Sequence, residues 1–341
     1  MVKRMRRLLF SCIIISSCYI CLQSMLSWNG PISIDDPPFE LQDYCTENRD
    51  QYIFFILIAG SAMLNPLQTC AIESAARYNP NHCVVVLYPE NVPQNPHMQG
   101  YDAPNIVVIN YIPELFLWNT PLDEWFMRES VQKSPFYLYY LSDVIRLAVL
   151  YHFGGIYLGL DMISLKPFDQ TIDYNIGYET SDANSSEANV INDAFMQFPS
   201  RRHPFLLLAM KWFITDYLEQ TMLKKPEKLL PLAVKRYQRL PRLLATLNQH
   251  VVLLNRSTAT LANSDTDTLP ALKIAPADIF YPVNQTEAPQ AFEAEHTARL
   301  ATKLRLAVTY NIWNKLTEAI DIQPDSLISE LTKTQCHLEV A

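Results

Sequence analysis

The sequence predicts an α/β domain built on a mostly parallel central sheet. Residues 52–59 read YIFFILIA, a continuous apolar run that is typical of a strand buried on both faces. A helical segment that begins at Pro66 separates this run from two more apolar strands, 83–88 and 106–111. Strand, helix and strand in this order, with burial on both faces, are typical of the start of a parallel α/β sheet.

Length and composition agree with that class. The chain has 341 residues, of which 49% are apolar and 18% charged, so it can bury a large core in one or two domains. This excludes a disordered chain and a small disulfide-stapled scaffold. The formal net charge is −8, and the residues after position 34 carry 23 basic against 35 acidic side chains. This excess of negative charge argues against nucleic acid as a partner, because the phosphate backbone is also negative.

The spacing of apolar residues predicts two helices in the first half of the chain. The first begins at Pro66 and stops at the turn signal Asn79-Pro80-Asn81. The second covers residues 136–153, and Asp143 and Arg146 share one side of it because they are three residues apart. The residues on the buried face of the first helix are Leu67, Cys70, Ala71, Ser74, Ala75 and Tyr78.

Three of the seven glycines lie within residues 154–159, directly after the second helix. Gly154-Gly155 end that helix, and Gly159-Leu160-Asp161 separate two short predicted strands, 156–158 and 162–165. In a chain this poor in glycine, the cluster indicates where the backbone turns sharply or approaches a ligand. The later predicted elements are a strand over 190–198, helices from Pro204 to about Leu223 and from Pro226 to about Leu240, short strands and loops over 251–283, a helix over 296–310 and a strand over 310–314.

The amino terminus predicts a membrane anchor. Residues 8–27 are twenty residues without a charge, and twenty helical residues reach about 30 Å, enough to cross a bilayer. The basic residues before them are expected to stay in the cytosol, so that the remainder is lumenal or extracellular. A cleaved signal peptide is the competing interpretation. The predicted organisation is a cytosolic tail 1–7, a transmembrane signal-anchor 8–27, a stem 28–50 and a lumenal domain 51–341.

A lumenal position would give meaning to two further features of the sequence. Asn184, Asn255 and Asn284 begin Asn-x-Ser/Thr sequons and are candidate glycosylation sites. Four cysteines follow the anchor, and in an oxidising lumen they predict one or two disulfides with all three pairings open. These four are Cys45, Cys70, Cys83 and Cys336.

The most informative segment runs from Ser142 to Phe168 and reads SDVIRLAVLYHFGGIYLGLDMISLKPF. It resembles the α-1,4-glycosyltransferase family, in which a Ser-Asp-x-x-Arg helix leads into Phe-Gly-Gly-Ile-Tyr-Leu-Asp-x-Asp. The resemblance extends from about residue 52 to Cys336. The other matching segments are Cys70–Ala76, Asn119–Leu122 with Trp125, Phe280–Pro282 and Trp313–Lys315. The sequence contains no P-loop, dinucleotide-binding, zinc-protease or α/β-hydrolase motif.

The resemblance implies a GT-A fold, a Rossmann-like sheet that binds a UDP-sugar beside an acceptor cleft. It implies a type II Golgi membrane protein that transfers galactose or an N-acetylhexosamine in α-1,4 linkage, with retention, to a glycosphingolipid such as lactosylceramide. Mn²⁺ is the implied cofactor, because a divalent cation neutralises the charge that develops on a diphosphate leaving group. An oligomer, with itself or with other Golgi transferases, is a further expectation.

The resemblance also assigns roles to individual residues. The implied catalytic residues are Asp161 and Asp193, and the implied metal ligands are Asp161 and Asn311. The implied donor-binding residues are Asp143, Arg146, Gly154, Gly155, Tyr157 and Asp161. The implied acceptor or sugar-side residues are Asn192, Trp313 and Asn314. Core packing is an alternative role for Trp313, turn capping for Asn192, and a purely structural ion pair for Arg146 with Asp143.

The sequence departs from the family pattern at the expected metal site. Gly159 replaces the first aspartate of Asp-x-Asp, Asn311 replaces a histidine, and Lys225-Pro226 replaces a Gly-Pro. An amide oxygen is a weaker donor than imidazole for a transition ion, so the sequence predicts a weakened Mn²⁺ site. The alternative function is therefore a catalytically impaired paralogue that binds a sugar or a protein partner in the lumen. A secreted lectin is a third interpretation, which requires cleavage near Ser27.

Overall fold

The computed structural model describes residues 41–45, 51–57, 64–89, 103–134, 137–168, 172–180, 190–223, 239–261 and 270–336. The predicted cytosolic tail and anchor, the Asn184 sequon and most of the helix expected over 226–240 lie outside these residues. Within the described part of the chain, no helix combines the length and the apolar character needed to cross a membrane.

A five-stranded sheet forms the centre of the fold, and four of its strands are parallel. These are β1 (Tyr52–Ile56), β2 (Cys83–Pro89), β3 (Ile106–Tyr111) and β4 (Gly155–Leu158). The fifth strand, β8 (Phe195–Phe198), pairs antiparallel with β4, and the strand order is β3-β2-β1-β4-β8. The α/β class and the mostly parallel sheet predicted from the sequence are therefore confirmed.

Two small sheets flank the central one. In the first, β5 (Met162–Ser164) pairs antiparallel with β10 (Thr309–Asn311), so that Asn311 lies opposite Met162. In the second, β6 (Ile176–Tyr178) lies between β7 (Ile191–Asn192) and β9 (Ile274–Ala275). Both small sheets bring distant parts of the chain toward the segments that follow β4 and precede β8.

Helices cover both faces of the central sheet. The longer ones are α1 (Pro66–Tyr78), α5 (Tyr137–Phe153), α6 (Pro204–Leu223), α7 (Arg239–Leu261) and α11 (Leu327–Gln335). The shorter ones are α2 (Pro113–Leu117), α3 (Leu122–Phe126), α4 (Glu129–Gln132), α8 (Ala277–Phe280), α9 (Thr297–Lys303) and α10 (Asn314–Thr317). A capping box starts α1, because Asn65 and Gln68 each accept the other's backbone N–H at 2.9 Å.

Successive side chains of β1 point to opposite faces of the sheet, so this strand contributes to two separate layers of the core. Phe54 and Ile56 pack in one cluster with α5, whereas Ile53 and Phe55 pack in another with α1. The continuous apolar run at residues 52–56 is thus explained by a strand that is buried on both faces.

Gly154 and Gly155 turn the chain from α5 into β4 at positive φ angles of 68° and 93°. A Cβ atom on Gly155 would lie 2.5 Å from the carbonyl oxygen of Tyr52, and one on Gly154 would lie 3.1 Å from that of Phe198. Both the backbone conformation and the close packing therefore require glycine at these positions.

Three predictions for the second half of the chain are wrong in part. The single strand over 190–198 is two strands, β7 and β8, which a turn at Asp193-Ala194 separates. The loops and strands predicted from residue 251 begin only after α7 ends at Leu261, and the helix over 296–310 is the shorter α9. In α7, buried apolar residues recur at helical spacing as far as Val251. The polar residues between them obscured this pattern in the sequence. The buried residues are Leu240, Leu243, Leu244, Leu247 and Val251.

Two disulfides decide among the three pairings that the sequence leaves open. Cys45, before β1, bonds to Cys83 at the start of β2, and Cys70 in α1 bonds to Cys336 at the end of α11. The second bond joins the end of the described chain to helix α1, between residues that are 266 positions apart in the sequence.

His152, in the last turn of α5, makes stability depend on pH. It is 4% exposed, and burial lowers its pKa to about 4. The unfolded chain therefore binds a proton before the folded one does, and stability that is present above pH 6.5 is lost as the pH falls toward 4. We expect a loss of about 2 kcal/mol between pH 6.5 and pH 5 from this residue, measured by urea unfolding. The same loss in His152→Gln would show that another group is responsible.

Candidate functional site

The candidate site lies at the carboxyl edge of the parallel strands, where ligands bind in open α/β sheets. Strand β4 ends at Leu158, which pairs with Phe195 at the start of β8. The segment after β4 and the turn before β8 therefore lie side by side. The Gly159 N–H donates to the carbonyl oxygen of Ala194 at 2.7 Å and joins the two.

Arg146, on the buried side of α5, is the centre of the polar contacts at this edge. Its Nη1 lies 2.8 Å from Oδ2 of Asp193, and its Nη2 lies 3.8 Å from Oδ1 of Asp143. Nη2 also donates to the Ser142 hydroxyl at 2.9 Å, and Nη1 donates to the carbonyl oxygen of Asp193 at 3.2 Å. The guanidinium thus joins α5 to the turn between β7 and β8.

The surroundings of Arg146 keep it charged. The guanidinium carbon lies 4.5 Å from the centre of the Tyr157 ring on β4, a cation–π contact. Burial alone would lower the pKa of Arg146, but the nearby acidic groups, Asp193 first, raise it overall. Burial raises the pKa of Tyr157 to about 12, so this tyrosine stays neutral. The predicted donor-side residues Asp143, Arg146 and Tyr157 are therefore brought together.

Asp161 is not an ion-pair partner of Arg146; the segment that follows β10 holds it in place. Its carbonyl oxygen accepts the Ile312 N–H at 2.8 Å, which fixes this segment against the end of β4. Burial raises the pKa of the Asp161 carboxyl, and backbone N–H donors from Asp161 itself and Asn314 counteract that rise. The positive charge of Lys315 acts in the same direction. Asp161 and Asn314, which the sequence assigns to different roles in one site, are thus neighbours.

Trp313 and Asn311 form a local structural unit. The Asn311 side-chain oxygen accepts the Trp313 N–H at 2.7 Å, and Trp313 has a left-handed backbone with φ of 58°. The indole N–H of Trp313 donates to the carbonyl oxygen of Val283 at 2.8 Å, and the ring packs against the core. These contacts give Trp313 a packing role; its predicted contact with a sugar stays a prediction.

Asn192 caps the turn that carries Asp193, as one of its two predicted roles requires. Its side-chain oxygen accepts the Ala194 N–H at 2.9 Å. Tyr281, which had no predicted role, braces the same turn: its hydroxyl accepts the Phe195 N–H at 2.9 Å and donates to the carbonyl oxygen of Asn192 at 3.1 Å. The signal in the sequence was the Phe280–Pro282 match, but spacing alone could not connect it to Asp193.

The residues present do not fit a resident Mn²⁺ ion. Gly159 offers no side-chain ligand, the Asn311 oxygen already accepts a backbone N–H, and Asp193 is paired with Arg146. Among the predicted site residues that the structure describes, Asp161 is then the carboxylate left for an ion. Among the described residues, one cluster has three His, Cys, Asp or Glu side chains close enough together to hold a metal ion: Glu293, Glu295 and His296. None of these three is a predicted ligand.

Restoring the missing carboxylate should create affinity for the metal. A Cβ atom at position 159 would lie 2.8 Å from Oδ1 of Asp161, so that this side chain must move slightly and the two carboxylates would be adjacent. We expect Gly159→Asp to bind Mn²⁺ without nucleotide about tenfold or more tightly than wild type, measured by electron paramagnetic resonance. Gly159→Asn, which adds similar bulk without charge, is the control. Equal Mn²⁺ affinity in all three proteins would show that position 159 does not face a metal site.

Several predicted residues lie elsewhere. Gly154 and Gly155 are at the amino end of β4, opposite the edge that carries Asp161, so their predicted donor contact stays a prediction. Asn255 lies within α7, and the Asn284 side chain accepts the backbone N–H groups of Thr286 and Glu287. Glycosylation at these two sequons also stays a prediction.

Two family models match the chain. One is described as a glycosyltransferase sugar-binding region containing a DXD motif and matches residues 66–177, which include the Arg146 and Asp161 segments. The other is described as an alpha 1,4-glycosyltransferase conserved region and matches residues 245–341. The first match ends within β6 and includes the segment Gly159-Leu160-Asp161.

Curated relatives cover most of the chain. Lactosylceramide 4-alpha-galactosyltransferase of Homo sapiens is 28% identical over 294 residues, 83% of this chain and 75% of the relative. The Rattus norvegicus enzyme is 26% identical over 293 residues, 83% of this chain and 73% of the relative. Alpha-1,4-N-acetylglucosaminyltransferase of Homo sapiens is 26% identical over 213 residues, 59% and 56% of the two chains.

Solved structures also match. The PaToxG glycosyltransferase is 16% identical, with a TM-score of 0.40 and coverage of 71% of this chain and 84% of its own. A galactosyltransferase solved with donor and acceptor sugar analogues is 12% identical, with a TM-score of 0.36 and coverage of 76% and 86%.

Proposed function

We propose that the chain is an α-1,4-glycosyltransferase, which transfers galactose or an N-acetylhexosamine from a UDP-sugar to a glycosphingolipid. Its two family-model matches and its hexosyltransferase relatives support this proposal. The new linkage is α-1,4, the acceptor resembles lactosylceramide, and the domain is of the GT-A type. One observation carries the proposal: the Ser-Asp-x-x-Arg helix is joined through Arg146 to Asp193, at the sheet edge where Asp161 also lies.

In the proposed transfer, negative charge develops on the departing diphosphate and positive charge develops on the sugar. The bond between the sugar C1 and the diphosphate breaks, and UDP leaves with the electron pair. The acceptor oxygen bonds to C1, and its proton passes to the phosphate oxygen of the departing UDP. Glycosyl transfer passes through a transition state with oxocarbenium character, so positive charge develops on the sugar. A fixed carboxylate in a partly buried site stabilises that charge, and Asp161 is the carboxylate at this edge that is not paired with Arg146.

Arg146 has a supporting role in this proposal. Its permanent charge holds Asp193 and Asp143 in fixed positions, and its own position is fixed by Ser142 and the Tyr157 ring. Divalent cations are typical of families with a DXD motif, but Mn²⁺ does not enter this mechanism because the ligands on this chain do not fit it.

We place the domain in the Golgi lumen as a type II membrane protein. Two observations support this location: the twenty uncharged residues at 8–27 after a basic cluster, and the disulfides Cys45–Cys83 and Cys70–Cys336, which persist in oxidising compartments. Assembly with other transferases stays a prediction.

A catalytically impaired paralogue is the second candidate, and Gly159 and Asn311 favour it. Both replace residues of the family's metal site. Such a protein would bind a sugar or a partner without transferring anything.

Binding and turnover separate the two candidates. Full-length protein in nanodiscs is titrated with UDP by calorimetry, and UDP release is then measured with lactosylceramide and either UDP-galactose or UDP-N-acetylglucosamine. The transferase proposal expects UDP binding and acceptor-dependent release from one of the two donors; reactions without acceptor control for hydrolysis. Binding without release would favour the impaired paralogue, and absence of both from folded protein would contradict the proposal.

A further inference from the structure

We propose that Tyr281 is a positioning residue, which sets the Asp193 carboxylate against Arg146 by bracing both ends of the turn between β7 and β8. This inference rests on the proposed function. Tyr281 follows α8, 88 positions beyond Asp193 in the sequence, and is 1% exposed. Its hydroxyl contacts Asn192 on one side of Asp193 and Phe195 on the other.

The two contacts leave the hydroxyl little freedom. It accepts from the Phe195 N–H at 2.9 Å and donates to the Asn192 carbonyl at 3.1 Å, which uses its donor and one acceptor site. Asp193 lies in the short span between these anchors. A shift of the turn would therefore lengthen at least one of the bonds, and it would also move Asp193 away from the 2.8 Å contact with Arg146.

Packing holds the Tyr281 ring in place. The rings of Phe280 and Phe195 stack with centroids 3.7 Å apart, which binds the residue before Tyr281 to the first residue of β8. A Cβ atom on Gly177 would lie 2.9 Å from Phe280 and 3.1 Å from the Tyr281 ring, so this glycine in β6 makes room for both. The brace is thus built from three separate segments of the chain.

Tyr281 also faces the other half of the site. Its ring centroid lies 6.2 Å from that of Trp313, in the segment that contacts Asp161 through Ile312. Burial raises the pKa of Tyr281 well above its usual value, so the hydroxyl keeps its proton and remains a donor at physiological pH. The residue therefore connects the turn that carries Asp193 with the side that holds Asp161.

The test is Tyr281→Phe in the full-length protein, which removes one oxygen atom and keeps the ring. Tyr310→Phe is the matched control, because Tyr310 is also fully buried and its hydroxyl has no hydrogen-bond partner among the described residues. We expect Tyr281→Phe to lower kcat about ten- to a hundredfold, with KM for the UDP-sugar nearly unchanged, and Tyr310→Phe to leave both constants near wild type.

A second background decides whether Tyr281 acts through Asp193. In Asp193→Asn, the further loss on adding Tyr281→Phe should shrink to less than about twofold, because residues that act as a unit are not additive. An undiminished loss in that background, or equal kcat values for Tyr281→Phe and Tyr310→Phe, would overturn the inference. A folded wild-type protein without any transferase activity would instead contradict the proposed function, and the positioning role would fall with it.

Discussion

Asp161→Asn should lower kcat for sugar transfer by about 10²- to 10³-fold while leaving the fold intact. Asparagine has almost the same shape and keeps an oxygen for the Asn314 N–H, but it removes the negative charge that would stabilise the oxocarbenium-like transition state. Loss of one preorganised stabilising group typically has an effect of this size. Radiolabelled hexose transfer gives the rate, and circular dichroism checks the fold.

Asp321→Asn is the matched control, since Asp321 is an exposed aspartate. Its kcat should stay within about twofold of wild type. If Asp161→Asn also retained wild-type kcat, Asp161 would have no electrostatic role, and the catalytic carboxylate would have to be sought elsewhere at the edge.

Arg146→Met should destabilise the protein by about 3–5 kcal/mol at pH 7 and abolish transfer. The side chains of Arg146, Asp193 and Asp143 are 11%, 13% and 17% exposed, so the substitution leaves two carboxylates close together without their shared cation. Removing one partner of a buried ion pair has a cost of this order because the remaining charge stays desolvated. Urea unfolding at pH 7 measures the loss.

A matched arginine at the surface shows whether the loss is specific to the buried ion pairs. Arg305→Met, at an exposed position, should change stability by less than about 0.5 kcal/mol. Equal stability changes in Arg146→Met and Arg305→Met would contradict the role of the buried ion pairs.

Local patterns in the sequence were sufficient for much of the fold. Helical spacing predicted α5 and the shared side of Asp143 and Arg146, whose charged groups are 3.8 Å apart. Continuous apolar runs predicted β1, β2 and β3, and β1 and β2 are buried on both faces as such runs indicate. For β3 the expected burial on both faces is wrong, because β3 is the edge strand of the sheet and exposes Val108.

The contacts that complete the site are not local, and therefore the sequence did not predict them. Arg146 and Asp193 are 47 residues apart, and Tyr281 and Asn192 are 89 residues apart. Their meeting depends on β8 joining the sheet antiparallel to β4, which no apolar period encodes. The pairing of Cys70 with Cys336 has the same origin, since it follows from the docking of α11 on α1.

The assignment of this site to hexosyl transfer is tested most directly by the product that the full-length protein makes from UDP-galactose and lactosylceramide. We expect a trihexosylceramide whose new galactose is α-1,4-linked, identified by mass spectrometry and NMR, and we expect its formation to be lost in Asp161→Asn. A folded wild-type protein that binds UDP but extends no glycolipid with any UDP-hexose or UDP-N-acetylhexosamine would contradict the assignment.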